Sequence, residues 1–142
     1  VGGVYDLVLN SYGPGEIIGS VHITVPDTMT MADIHPLTKS IAVHLYKKFG
    51  IAMTVGVYAE NQPSLEVLEV RQALDQVVSL YTHVVQVHAF YVQEEKKVIY
   101  YDIIFDFDEE DPHGTLEKIK AEMQKRCPEY TQFAIVDTDF SN

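Results

Sequence analysis

Cysteine and basic residues are scarce in this 142-residue chain, and each scarcity excludes a class of protein. The single cysteine, Cys127, has no partner for a disulfide within the chain and excludes a cysteine-rich zinc module. Only 10 lysine and arginine residues accompany 21 aspartate and glutamate residues, which gives a formal net charge of −11. Because phosphate recognition requires clustered positive charge, we exclude nucleic acid as a partner. An acidic surface instead raises the local concentration of cations.

Catalytic and targeting signatures are also missing. The sequence contains no nucleophile elbow, phosphate-binding loop or HExxH helix, so we expect a protein that is not an enzyme. No apolar run reaches the length of a membrane span, and no signal peptide is visible. The chain starts at Val1, without Met and at the edge of a strand-like segment. We interpret it as a piece of a longer protein.

An internal repeat is the main feature that the sequence does contain. Each half reads strand, strand, turn, helix, strand, first over residues 4–60 and again over residues 83–140. The starts of the two corresponding helices are 78 residues apart, since His113 follows His35 by that number. A repeat of this length predicts two folded modules rather than thin solenoid units.

Capping residues mark the predicted helices. Ser64 and Asp111 are each well placed to cap a helix, and a proline directly follows Asp111 at the first helical position. For the first module we predict Asp33 as the cap, because Pro36 should then lie in the first turn. Gly50 is predicted to end that helix.

These elements predict an α+β protein built from two tandem ferredoxin-like modules. Each module should be an open-faced sandwich of the βαβ type, with an antiparallel-rich sheet and its helices on one face. The first module spans residues 1–62 and lacks the leading helix. The second spans residues 63–142 in the order αββαβ.

Four segments of the first module carry a family resemblance: YDLVLNSYGPG, GSVHITVPD, DIH and VGVYAEN. Together they closely resemble the C-terminal cytoplasmic domain of cation diffusion facilitator transporters. The resemblance is close over residues 1–60, whereas over residues 63–142 it rests on element order and scattered ligand-type residues. It implies a regulatory, dimer-forming domain of a divalent-cation exporter, attached to the membrane domain at the cytoplasmic face of the cell membrane. Many members of the family bind zinc in this domain.

In the first module, the resemblance supplies only two metal ligands. His22 and His35 match ligand positions of the family, but Tyr5 stands where a histidine is often found. Val57 and Ala59 stand where a His-x-Asp pair would fall. Because a zinc site needs at least three protein ligands, this module is expected to keep the fold with a degenerate site.

The second module is better supplied with candidate ligands. They are His88 on the first strand, Asp102 on the second, His113 at the helix start, and Asp137 and Asp139 on the last strand. Strand alternation puts the last two on one face. Histidine and carboxylate ligands suit zinc, and also manganese or iron. Solvent-facing or edge-strand polar residues are the alternative interpretation of these positions.

The acidic run at residues 106–111 also suggests cation binding, but it lacks the glycine and the spacing of a calcium loop. Negative charge before a helix start is favourable in itself, so we interpret the run as a solvated acidic turn. His83 is assigned to the connection between a helix and a strand.

Three functions remain open at this point. The first is a regulatory and dimerisation tail of a metal exporter, with a variant that binds no metal and only assembles the dimer. The second is a ferredoxin-like sensor that binds a small organic ligand. A metal-dependent enzyme is the third and least supported, because this fold alone does not determine function. The repeat also leaves open whether two chains form a homodimer or one chain forms a pseudo-dimer.

Overall fold

The computed structural model describes residues 1–137, and the chain divides into two compact units on either side of the Gln62–Pro63 bond. Unit 1 contains β1 (Gly3–Ser11), β2 (Ile17–Pro26), α1 (Met31–Phe49) and β3 (Ile51–Glu60). Unit 2 contains α2 (Leu65–Val78), β4 (Val84–Gln93), β5 (Val98–Phe105), α3 (Pro112–Arg126) and β6 (Thr131–Asp137). The predicted α+β class is confirmed. Asp139 lies outside the described residues.

The two units share one sheet topology. The strand orders are β1-β2-β3 and β4-β5-β6, so the second strand of each unit is central. The first two strands pair antiparallel, and the strand that returns after the helix pairs parallel. Each sheet is therefore mixed rather than antiparallel-rich, because a helical crossover delivers the third strand in the direction of the second.

A capping box starts α1, and it corrects the prediction that Asp33 is the cap. Thr30 is the N-cap residue: its hydroxyl accepts from the Asp33 amide at 3.3 Å, and the Asp33 carboxylate accepts from the Thr30 amide at 3.0 Å. Pro36 consequently lies inside the helix, beyond the first turn. Its ring nitrogen cannot donate to the carbonyl four residues earlier, and the capping box offsets this loss at the helix start.

The other predicted helix boundaries are confirmed. Gly50 follows α1 in the left-handed conformation, with φ of 69°, which glycine adopts without steric cost. The Ser64 hydroxyl accepts from the Val67 amide at 3.1 Å at the start of α2. The Asp111 carboxylate accepts from the Gly114 amide at 3.1 Å at the start of α3.

Unit 2 has a well-buried core between its two helices and one face of its sheet. The central strand β5 contributes Ile99, Tyr101 and Ile103, each at most 1% exposed. These side chains pack in one cluster with apolar residues of α2 and α3, namely Val70, Leu74, Val77, Leu116, Ile119 and Met123. Strand alternation then places Tyr100, Asp102 and Ile104 on the opposite, helix-free face.

The single helix of unit 1 is less buried than its counterpart. In residues 1–62, all of which the structure describes, α1 is the one helix, and it has no fully buried residue. Its apolar stripe packs against β3. In unit 2 the additional helix α2 packs on α3 and buries the corresponding stripe. Because residues 1–62 contain no counterpart of α2, the helix α1 stays less buried than α3.

Both units also share an irregularity in their first strand. The pairing register shifts between Tyr5 and Val8 in β1 and between His88 and Tyr91 in β4. At each shift a non-glycine residue adopts the left-handed conformation, Asp6 with φ of 55° and Ala89 with φ of 54°. Such bulges redirect the side chains around them. Among the described helices, none combines the length and apolarity needed to cross a membrane.

Candidate metal centre

The sheet of unit 2 brings predicted metal ligands together. His88 on β4 pairs directly with Asp102 on β5, and Asp137 on β6 pairs directly with Ile104. Residues 102 and 104 share one face of β5, and paired residues of neighbouring strands share a face. His88, Asp102 and Asp137 therefore lie on the helix-free face of unit 2.

The side chains of His88 and Asp137 converge on that face. Their potential ligand atoms lie within 4.8 Å of each other. The two residues come from the opposite edges of a three-stranded sheet, whose edge strands are about 9.6 Å apart. Both side chains must therefore lean over the central strand, where Asp102 is located.

The remaining predicted ligands are more dispersed. His35 is exposed on α1, and His113 is exposed in the first turn of α3. Among the described residues, no group of three potential ligands with atoms within 4.8 Å includes His22, His35, Asp102 or His113. Asp139 lies beyond the part of the chain that the structure describes.

In unit 1, His22 belongs to a polar network on the sheet. Its ring stacks on that of Tyr58, with centroids 4.5 Å apart and planes 12° apart. The Tyr58 hydroxyl donates to Asp6 Oδ2 at 2.8 Å, and His22 Nδ1 lies 3.2 Å from the same oxygen without the alignment of a hydrogen bond. Asp6 is the member that sequence reasoning missed, because the bulge at this residue sets its direction.

A glycine makes room for this histidine. Gly56 on β3 pairs directly with His22, and a Cβ atom added at Gly56 would lie 2.5 Å from His22 Cδ2. Any larger residue would displace the imidazole ring. The absence of a side chain at Gly56 therefore leaves the space that the ring occupies. The network offers one imidazole and one carboxylate to a cation.

A second histidine and carboxylate cluster lies at the opposite end of β4 from the hairpin. His83, Asp106 and Asp108 offer three potential ligand atoms within 4.8 Å of one another. His83 immediately precedes β4, whereas Asp106 immediately follows β5. His83 Nδ1 lies 3.0 Å from Asp106 Oδ1 and 3.2 Å from Oδ2. Neither His83 nor the two aspartates were among the residues that the family resemblance selected.

Carboxylates control the charge of this histidine. The hydrogen bond that His83 donates to Asp106 raises the pKa of His83 above its ordinary value, against the opposing effect of partial burial. The negative charges of Asp106, Glu109 and Asp108 raise it further. The local field therefore favours positive charge at the imidazole.

The acidic turn is ordered by its own backbone. Asp106 Oδ1 accepts from the Asp108 amide at 3.0 Å. Glu109 accepts from the Asp111 amide at 3.2 Å and from the Thr115 hydroxyl at 2.7 Å. Glu109 and Asp111 thus organise the start of α3, whereas Asp106 and Asp108 converge with His83. The solvated acidic turn stays a prediction, and the structure shows in addition that Asp106 and Asp108 lie beside His83.

Other groups with shifted pKa values have structural roles. Glu66 on α2 accepts hydrogen bonds from the Lys97 ammonium and the Tyr130 hydroxyl, and the bond from Lys97 is the main cause that lowers the pKa of Glu66. Burial raises the pKa of Cys127, which therefore remains a thiol.

No protein-family model matches this chain, and neither a curated protein nor a solved structure matches it. The resemblance of residues 1–60 therefore gains no support from these comparisons. The function has to be argued from the residues and their geometry.

Proposed function

We propose that this chain is a non-enzymatic regulatory module of a divalent-cation efflux transporter of the cation diffusion facilitator type, and that unit 2 binds zinc or a similar ion. The observation that carries the proposal is the approach of His88 and Asp137 within 4.8 Å of each other. The family resemblance selected both residues independently of their distance. Their convergence from opposite edges of the sheet is the arrangement that a shared ion requires.

The ligand chemistry fits a borderline divalent cation. An imidazole nitrogen and carboxylate oxygens bind zinc at about 2.0–2.2 Å. We assign Asp102 as the third ligand, because its backbone lies directly opposite His88 on the central strand. Completing the set requires the Asp102 carboxylate to turn toward His88, because among the described residues it belongs to no group of three potential ligand atoms within 4.8 Å.

Regulation follows from where this ion would sit. An ion held by His88, Asp102 and Asp137 connects all three strands of the unit 2 sheet. The ion binds more tightly to the conformation of the module that brings these ligands together than to other conformations. This difference in affinity sets how far the ion shifts the population toward that conformation. A shift of this kind in a homodimeric tail, or in an intrachain pseudo-dimer, would bias the packing of the attached membrane domain.

We assign both units to the ferredoxin-like class on their shared strand order.

Zinc titration by calorimetry tests the proposal on the metal-stripped 142-residue chain. We expect binding at micromolar or tighter affinity, and we expect the double variant His88→Ala/Asp137→Asn to remove one zinc equivalent from the binding stoichiometry. The matched control is His113→Ala, which removes an exposed histidine that belongs to no three-residue cluster. A stoichiometry that the double variant leaves unchanged, or that His113→Ala lowers equally, would refute the assignment.

One observation favours the variant in which the module assembles without metal. The edge strand β1 exposes apolar side chains: Val4 is 63% exposed, Leu7 is 53% and Leu9 is 48%. Exposed apolar residues on an edge strand are a template for pairing with another chain. Under this function, metal-stripped protein sediments as a dimer, and Leu7→Lys shifts it to monomer. Under the metal-dependent function, zinc is required for the dimer.

A further inference from the structure

The geometry points to a second divalent-cation site in unit 2, formed by His83, Asp106 and Asp108. This site is separate from the one assigned to His88 and Asp137. His83 precedes His88 by five residues along an extended strand, a distance of about 16 Å. One ion therefore cannot serve both sites, and the inference stands whether or not the proposed function is correct.

The distances within the cluster suit one ion. Ligand atoms that surround a zinc ion at about 2.1 Å lie roughly 3–4 Å from each other. The three potential ligand atoms here already lie within 4.8 Å of one another, and a bound ion would displace the proton that His83 Nδ1 shares with Asp106 Oδ1 across 3.0 Å. Small side-chain rotations close the remaining gap. The imidazole and the carboxylates come from two segments, the α2–β4 connection and the β5–α3 turn.

The sheet holds these two segments in register. The Asp106 amide donates to the His83 carbonyl at 2.9 Å, which continues the antiparallel pairing of β4 and β5 by one step. The backbones of His83 and Asp106 are therefore positioned by the strands rather than by a free loop. Asp108 is exposed at the rim and gives a cation access from solvent.

The negative charge around the cluster favours a bound cation. The types of ligand atom, one imidazole nitrogen and two carboxylate oxygens, indicate which cation fits. No lysine or arginine occurs between residues 98 and 117, so no basic side chain of this segment competes for the carboxylates. One imidazole with two carboxylates is typical of manganese, iron or zinc. The turn lacks the ligand number and central glycine of a calcium loop. We therefore assign the site to a transition-metal dication rather than to calcium.

Nuclear magnetic resonance with Mn²⁺ as the probe locates the site directly. On the full isotope-labelled chain, Mn²⁺ below one equivalent is expected to broaden the amide signals of His83 and of residues 106–108. The same broadening is expected in the His88→Ala/Asp137→Asn variant, which lacks the first site. Broadening that disappears with this variant would overturn the second site and leave the first.

Matched variants of the turn supply the second measurement. Asp108→Asn is isosteric and changes an exposed residue, so the unit keeps its fold, and we expect it to weaken Mn²⁺ binding at least about tenfold. His83→Ala should abolish the local broadening. Glu110→Gln removes one exposed charge from the same turn without touching the cluster and should leave the affinity within about twofold. Equal losses for Asp108→Asn and Glu110→Gln would mean diffuse attraction by the acidic turn and would contradict the site.

Discussion

Ile41 and Ile119 occupy equivalent positions in helices α1 and α3, 78 residues apart, yet their burial differs. Ile119 is fully buried, whereas Ile41 is partly exposed on a helix without any fully buried residue. The helix α2, which packs on α3, has no counterpart within residues 1–62. The same substitution at both positions therefore isolates the energetic contribution of the additional helix.

The expected cost of Ile→Ala follows from the burial of each side chain. Truncation at Ile119 removes three buried carbon atoms, at about 0.8 kcal/mol each, and leaves a cavity that raises the total to about 3–4 kcal/mol. At Ile41 part of this surface already contacts water, and the surrounding side chains can relax, so we expect about 1–1.5 kcal/mol. The difference of about 2 kcal/mol corresponds to roughly a 30-fold difference in the opening constant.

Native-state hydrogen exchange measures the two costs separately. The chain divides into two compact units, so a single melting curve would not assign a cost to either one. Exchange of amides in β2 reports on unit 1, and exchange of amides in β5 reports on unit 2. Ile119→Ala should accelerate exchange in β5 roughly 30-fold more than Ile41→Ala accelerates exchange in β2. Equal costs at the two positions would refute the reasoning that α2 is responsible for the burial of α3.

Three further predictions address local features. Gly56→Ala places a Cβ against the His22 ring, so we expect a loss of about 1–3 kcal/mol and a shifted His22 resonance; an unshifted resonance would contradict the close contact. Thr30→Ala removes the cap of α1 and should lower the free energy of unfolding by about 1 kcal/mol, as measured in urea. Thr30→Ser keeps a capping hydroxyl and should retain most of this stability. The folded state lowers the pKa of Glu66 below its ordinary value of 4.5. The ionised Glu66 therefore contributes fully to the free energy of unfolding above pH 4.5, and this contribution is lost as the pH falls through the lowered pKa. The free energy of unfolding, measured in urea between pH 6 and pH 3, should therefore depend less on pH in Glu66→Gln, by about one titrating group. An unchanged pH dependence would exclude the interaction with Lys97 as the cause of the lowered pKa.

Local signals in the sequence determine most of the elements of this fold. Ser64 and Asp111 cap the helices that they were predicted to start, because a cap depends on residues within one turn. The prediction of Asp33 as the cap is wrong, because α1 tolerates Pro36 beyond its first turn. A threonine that forms a capping box with the third helical residue outweighs one missing backbone hydrogen bond near the helix start.

The predicted site depends on contacts between strands, and here the sequence is informative only in part. His88, Asp102 and Asp137 share a face because strand alternation carries over from sequence to structure. The cluster of His83 with Asp106 could not be found in this way. Their backbones meet only because β4 and β5 pair in one particular register, which brings a helix–strand connection beside an acidic turn.

The network of unit 1 shows a different limit of sequence reasoning. The assignment of His22 as a metal ligand stays a prediction, and the structure shows in addition that its ring stacks on Tyr58. The carboxylate of Asp6 reaches this pair because its backbone takes the left-handed conformation at a bulge. A bulge shifts the strand alternation by one residue, so a period-two pattern assigns the neighbouring side chains to the wrong face.

Crystals of the full chain grown with zinc would test the central claim most directly, through anomalous diffraction at the zinc absorption edge. The account predicts an anomalous peak on the helix-free face of unit 2, about 2.0–2.2 Å from the His88 imidazole and the Asp137 carboxylate, with Asp102 as a further ligand. A zinc-saturated crystal with no peak between His88 and Asp137 would contradict the proposed regulatory site.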